Sequence, residues 1–210
     1  MGLIKLDDQS LRESLPRNNG YLIYKSHTLP QDISENLINS NIKFITVLRD
    51  PRDVIVSCSF FLAWLDERLG GWGPKFRTLN EHERILAIIR ENESLFLELK
   101  AWHRSQVAYK VKYENLSQNT VEELRNITGF LNINVSEYRL KKIALRHSFE
   151  NTEGRSRGSE DGLAVNRKGI IGDWKNYFDK ESIDTFKRYH DERWNKLLVE
   201  MGYETSLNWQ

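Results

Sequence analysis

A chain of 210 residues with 39% hydrophobic content and 12 glycines can bury one sizeable core, which points to a single domain over 1–210 and is long enough for an enzyme. A net charge of +1 argues against general binding to nucleic acid or to a membrane surface, because neither polyanion meets a sustained field, so any anion site has to be local. One cysteine, Cys58, excludes an internal disulfide and fits a core position in a reducing interior; with no run of about 18 apolar residues and no leader pattern in Met1 to Asn18, a cytoplasmic location is the default.

Residues 1–20 are mostly polar, with Leu3, Ile4, Leu6 and Leu11 as scattered anchors, and this lead-in ends at the turn signal Asn18-Asn19-Gly20. Tyr21-Leu22-Ile23-Tyr24 reads as a buried strand that runs into Lys25-Ser26-His27-Thr28-Leu29-Pro30, so a lysine and a histidine emerge at a strand's carboxyl end. Residues 31–41 fit a short helix or loop. The apolar, β-branched run over 43–49 then predicts a fully buried strand of a parallel sheet, stopped at Arg49-Asp50-Pro51, where proline ends pairing and can open a helix.

From Asp53 the spacing of Val54, Ile55, Cys58, Phe61, Leu62 and Leu65 predicts a helix over about 53–66, with Ser57 a little over one turn inside it. The planar donor fork of Arg49 and the Ser57 hydroxyl, near the helix's positive end and the carboxyl end of a strand, can hold an anion. An Arg-Asp-Pro turn is also what a surface arginine paired with Asp50 or Asp53 looks like. Leu69-Gly70-Gly71-Trp72-Gly73-Pro74 fits only an irregular loop, of the kind that forms lids.

Asn80 with Glu83 makes a capping box for a long amphipathic helix with Ile85, Ile88, Ile89, Leu95, Phe96, Leu99 and Trp102 inward. A strand follows at 107–113; Thr120 with Glu123 predicts a capped helix, and Ser136 caps another running to about Leu145. Residues 151–166, rich in Gly, Ser, Arg and Asp, read as a mobile surface loop. A last helix over about 181–201 aligns Ile183, Phe186, His190, Trp194, Leu197, Leu198 and Met201 and stops at Gly202. Strands at 21–26, 43–49 and 107–113 alternating with helices mean an α/β fold, a parallel sheet flanked by helices.

Past the 151–166 loop, Arg167-Lys168-Gly169 can wrap a phosphate with side chains and backbone N–H groups together, since glycine lets the backbone approach the oxygens; taken alone it is also a common solvated turn. Set in order, Lys25-Ser26-His27-Thr28-Leu29-Pro30, Arg49-Asp50-Pro51-Arg52-Asp53-Val54 with Ser57, Tyr113-Glu114-Asn115-Leu116, His147-Ser148-Phe149 and Arg167-Lys168-Gly169-Ile170-Ile171-Gly172-Asp173-Trp174 resemble the sulfotransferases that use 3′-phosphoadenylyl sulfate, in their soluble, small-acceptor branch. The resemblance runs from about residue 21 to the carboxyl end.

It implies a sulfotransferase fold like that of the phosphate-loop NTPases, and transfer of a sulfuryl group from 3′-phosphoadenylyl sulfate to a hydroxyl or amine of a small acceptor, without a metal. His27 matches the catalytic base and Lys25 a lysine near the transferring group, where cationic charge offsets the negative charge that spreads over the sulfate. Arg49 and Ser57 match the pair that binds the 3′-phosphate, with Arg167, Lys168 and Gly169 closing on it from the other side. Tyr113, Ser148 and Phe149 match positions around the adenine, with plain core packing the alternative for the two aromatics.

The family opens with a strand, a Pro-Lys-Ser-Gly-Thr-Thr-Trp loop that cradles the 5′-phosphosulfate, and a helix, and no such pattern occurs in the 24 residues before Lys25. The expectation is therefore an N-terminally truncated domain: a fragment, a chain completed by another polypeptide, or a non-catalytic module that binds adenosine 3′,5′-bisphosphate. In the family's dimerisation segment Lys175 is kept but Asp179-Lys180 replaces the usual Thr-Val pair, so a homodimer and a complementing chain both stay open as partners.

Overall fold

A computed structural model describes residues 23, 25–69, 75–161, 164 and 166–210. The 1–20 lead-in, Tyr21, Leu22 and Tyr24 of the first expected strand, and the Gly70 to Pro74 loop lie outside these residues. Two five-residue strands, β1 (Phe44–Leu48) and β2 (Ala108–Lys112), pair in parallel with Phe44 opposite Ala108 and Leu48 opposite Lys112. Before β1 stands α1 (Glu35–Ile38), and between the strands run α2 (Pro51–Leu69), α3 (Lys75–Thr78), α4 (Glu81–Glu91) and α5 (Glu93–Arg104) as the crossover. After β2 come α6 (Tyr113–Gln118), α7 (Thr120–Phe130), α8 (Glu137–Arg146), α9 (Phe149–Glu153), a 3-10 turn at Asp173–Asn176 and α10 (Lys180–Glu200).

The expected first strand is not seen in its described residues. Ile23 is 92% exposed, and residues 25–29 belong to no strand. There the Ser26 hydroxyl accepts the amide of Thr28 at 3.0 Å, a local bond that competes with strand pairing. Nor is β1 buried on both faces: Leu48 is buried, but Ile45 and Val47 are 38% and 54% exposed. Parallel pairing puts Ile45 beside Tyr109 and Val47 beside Val111 on one face. On that face Val111 is fully buried and Tyr109 stacks on Phe130, the last residue of α7, at 4.9 Å, while among the described residues the β1 half stays exposed.

The other sheet face meets the main core. Leu48, Ile55 and Val56 pack with Ile85, Ile88 and Ile89 of α4, Phe96 and Leu99 of α5 and an aromatic group of Trp174, Phe178, Phe186, Trp194 and Trp209. Trp194 donates its indole N–H to the carbonyl of Ile89 at 3.0 Å, which ties α10 to α4 without leaving a buried donor idle. Phe61 departs from the expected apolar stripe: it is 42% exposed and stacks on Trp64.

Three helix predictions need correction. The long helix over Ile85 to Trp102 is two, because Asn92 ends α4 and caps α5, its side chain accepting the amide of Leu95 at 3.1 Å. Thr120 forms no cap with Glu123; it lies inside α7 and donates its hydroxyl to the carbonyl of Leu116 at 2.8 Å. In α10 the backbone leaves the helix at Tyr189–Glu192, with φ of 45°, 58° and 61° at His190, Asp191 and Glu192, so His190 faces solvent rather than the core. The Asn80 and Glu83 box and the Ser136 cap form as expected, at 3.0 Å and 3.4 Å to the amides of Glu83 and Arg139.

Candidate functional site

The site is built on the corner where β1 turns into α2. Pro51 starts the helix and Val54 donates the first helical bond to the Asp50 carbonyl at 3.0 Å, so Arg49 sits between strand and helix with its side chain free to leave the core. The two arginines of the turn divide the two aspartates. Arg52, 3% exposed, grips both oxygens of Asp50 at 2.7–3.2 Å, reaches Glu204 at 2.7 Å and lies between the rings of Trp174 and Trp209 at 4.0 Å and 4.6 Å. Arg49 is left to Asp53, 3.2 Å away, and to the cleft.

Asp53 joins the corner to the Gly-Asp-Trp turn. It is 1% exposed and accepts the amides of Gly172 at 2.8 Å and Trp174 at 2.9 Å as well as the Arg49 guanidinium. Burial raises its pKa, and the charge of Arg49 and the two amide bonds oppose that shift without cancelling it. From the other side Glu114, just past β2, accepts the amide of Asp50 and the hydroxyl of Tyr203, both at 2.9 Å, and Tyr113 offers its ring to Arg49 at 4.5 Å.

The second grip folds back onto this corner. Arg49 donates to the carbonyl of Ile170 at 2.9 Å, one residue beyond Gly169, so the arginine corner and the Arg-Lys-Gly stretch share one cleft of about 160 Å³. Arg49, Ser57, Tyr113, Phe149, Arg167, Lys168 and Gly169 all line it. Gly169 has φ of +65°, and a Cβ there would lie 2.6 Å and 2.8 Å from Cε2 and Cγ of Phe149, so the aromatic ring rests directly on the glycine. The Nε of Arg49 is buried with no hydrogen-bond partner among the described residues, a donor that an anion in the cleft would satisfy.

The 151–166 segment reaches the cleft through its own bonds. Gly158 and Asp161 donate amides to the carbonyls of Lys168 (2.9 Å) and Arg167 (3.1 Å), and Arg155 donates to the carbonyls of Ser159, Asn166 and Arg167. Gly162, Leu163 and Val165 lie outside the described residues.

Not every expected residue lines the cleft. Ser148 caps α9, its hydroxyl accepting the amide of Asn151 at 3.3 Å. Lys25 and His27 are exposed and are not among the cleft's walls; the His27 Nδ1 stands 3.5 Å from Glu98 of α5. The cleft adds Asp53, Val56, Asn166, Ile170 and Asp173, none of which was expected as a site residue. Asp53 carried a signal, an acid four residues after Arg49 in a first helical turn, and Asp173 lay inside a quoted block; Asn166 carried none.

A family model described as Sulfotransferase domain matches residues 5–198. Sulfotransferase 2A1 of Mus musculus is 28% identical over 193 residues, covering 86% of this chain and 66% of the relative; sulfotransferase 1B1 of the same species is 27% identical over 203 residues, covering 90% and 66%. The chain thus spans just under two thirds of the length of these relatives. Among solved structures, mouse sulfotransferase SULT7A1 complexed with PAP aligns with a TM-score of 0.63 at 22% identity, over 85% of this chain and 65% of the other. Retinol dehydratase in a complex with retinol and PAP aligns with a TM-score of 0.66 at 21% identity, over 90% and 56%.

Proposed function

The chain belongs to the sulfotransferase family, and from that premise we propose that its cleft takes the 3′-phosphate of 3′-phosphoadenylyl sulfate, the donor from which a sulfuryl group passes to a hydroxyl or amine of a small acceptor. The observation that carries the reading is the Arg49 bond to the Ile170 carbonyl, which brings two cationic stretches of chain against one cleft while leaving a guanidinium N–H without a partner among the described residues. Arg49, Ser57, Arg167, Lys168 and the backbone at Gly169 hold the phosphate; Tyr113, Ser148 and Phe149 sit toward the adenine. A bond forms between the acceptor oxygen or nitrogen and sulfur as the bond from sulfur to the 5′-phosphate oxygen breaks. His27 takes the acceptor proton, and Lys25 offsets the negative charge that spreads over the transferring sulfate. A cytoplasmic setting is part of the same reading.

The position of Lys25 and His27 outside the cleft's walls favours a second reading, a module that holds adenosine 3′,5′-bisphosphate without transfer. Calorimetry with that bisphosphate, run beside transfer of labelled sulfate to 2-naphthol as probe acceptor, separates the two. Binding with transfer supports the enzyme, and binding without transfer supports the module. Absence of binding at millimolar bisphosphate, in a protein with a cooperative melt, overturns both.

A further inference from the structure

The two cations of the Arg-Lys-Gly stretch are each held by carboxylates from two sides. On one side Asp173, 3% exposed, pairs with Arg167 and stands 3.4 Å from Lys168, and accepts the side-chain amide of Asn176 at 2.8 Å. On the other side Glu160 spans both, Oε1 at 2.6 Å from Arg167 and Oε2 at 3.1 Å from Lys168. The Tyr177 hydroxyl completes the group, accepting from Arg167 at 2.8 Å and from Lys168 at 2.7 Å.

A carboxylate that offers one oxygen to a guanidinium and the other to an ammonium makes the contacts that two oxygens of a phosphate would make. The two acids differ in what it costs to remove them. Asp173 is buried, so parting it from its partners would strand charge in a low-dielectric place. Glu160 has a side chain 38% exposed and can turn into water at small cost. Burial pushes the Glu160 pKa up, but hydrogen bonds from Arg167 and Lys168 outweigh it and hold the group below the ordinary glutamate range, so it is ionised near neutral pH.

We propose that Glu160 is the cleft's built-in competitor: it holds the ends of Arg167 and Lys168 in this structure and gives them up to the ligand's phosphomonoester, while Asp173 stays in place. Glu160 therefore sets affinity for the phosphate and for no other part of the ligand. The inference rests on the reading of the cleft as a phosphomonoester site.

The test is calorimetry on the full chain with adenosine 3′,5′-bisphosphate and with adenosine 5′-monophosphate, which lacks the 3′-phosphate. Glu160→Gln should bind the bisphosphate about threefold to tenfold more tightly than wild type and the monophosphate equally well. Glu150→Gln, which removes the same charge from an exposed neighbour facing Arg157, should change neither. A wild-type chain that binds the bisphosphate beside an E160Q chain that binds it no better overturns the competitor and makes Glu160 a support. Equal tightening of both nucleotides, or tightening by E150Q as well, also overturns it, since long-range charge would then suffice. If neither wild type nor E160Q binds the bisphosphate, the phosphomonoester reading itself falls.

Discussion

Arg49 and Arg52 stand on one turn of chain, and their surroundings set them to different work. Arg52, closed in by Asp50, Glu204 and two indole rings, is part of the core; Arg52→Ala would leave Asp50 buried without its partner, a loss on the order of 3–5 kcal/mol. Arg49 keeps one edge toward the cleft. Cys58, farther along the same helix, shows the same dependence on surroundings: burial pushes its thiol up to about 11 from 9.0. At pH 8 the folded protein then carries about a hundredth of the thiolate of an ordinary cysteine. Iodoacetamide should label native Cys58 about 100-fold more slowly than the urea-unfolded chain; a native rate within about tenfold of the unfolded one would mean that the thiol is open to reagent. That Arg49, Ser57, Arg167, Lys168 and Gly169 line one cleft was legible because their blocks carry donors at a strand end or beside a glycine. Asp53 could be named only as a partner for Arg49, a pairing that forms at 3.2 Å, and Asp173 was not singled out at all, because a buried acid that fixes a cation looks, in sequence, like any acid that starts a helix.

At the scale of elements, Asn92 is the residue on which two helices turn. It ends α4 and caps α5, so Asn92→Ala should cost about 1–2 kcal/mol, read as a lower urea midpoint with the slope unchanged. An unchanged midpoint would mean that packing of the apolar faces holds the junction without the cap. Sequence periodicity missed this break because Ile88 and Leu95 lie seven residues apart, two helical turns, and the apolar stripe keeps its phase across it. Capping boxes are local and could be read; the Asn80 and Glu83 pair is an example. The burial of β1 could not be read. An apolar, β-branched run tells that a strand can be covered, whereas what covers it comes from distant parts of the chain, and here Phe130 of α7 packs on Tyr109 of β2 instead. The turn at Tyr189–Glu192 carries neither glycine nor proline, the two residues that would have announced it.

At the scale of the molecule, several carboxylates bind the fold more strongly when ionised. Hydrogen bonds lower the pKa values of Glu200 and Glu137 through Arg104 and Arg125, and that of Asp179 through the amide of Ser182. In Asp173 and Glu160 burial acts upward but is outweighed by hydrogen bonds, from Asn176 and Arg167 and from Arg167 and Lys168. For each of these the unfolded chain binds more protons in the window between the folded value and the ordinary 3.8 or 4.5, so their contribution is present above that window and lost as pH falls through it. Asp53 acts in the opposite sense, since its folded value is raised, but it is one group against several. The melting temperature, followed by circular dichroism, should fall as pH drops below about 4.5; a flat profile down to pH 3 would mean that these ion pairs add nothing to stability. The bonds that close the cleft, from Arg49 to Ile170 and from Gly172 and Trp174 to Asp53, join residues 119 to 121 positions apart. Closures of that length come after local structure has formed. The cleft is therefore expected to close late in folding, so a compound bridging its two walls should slow unfolding while leaving the refolding rate unchanged, as stopped-flow kinetics with and without it would read.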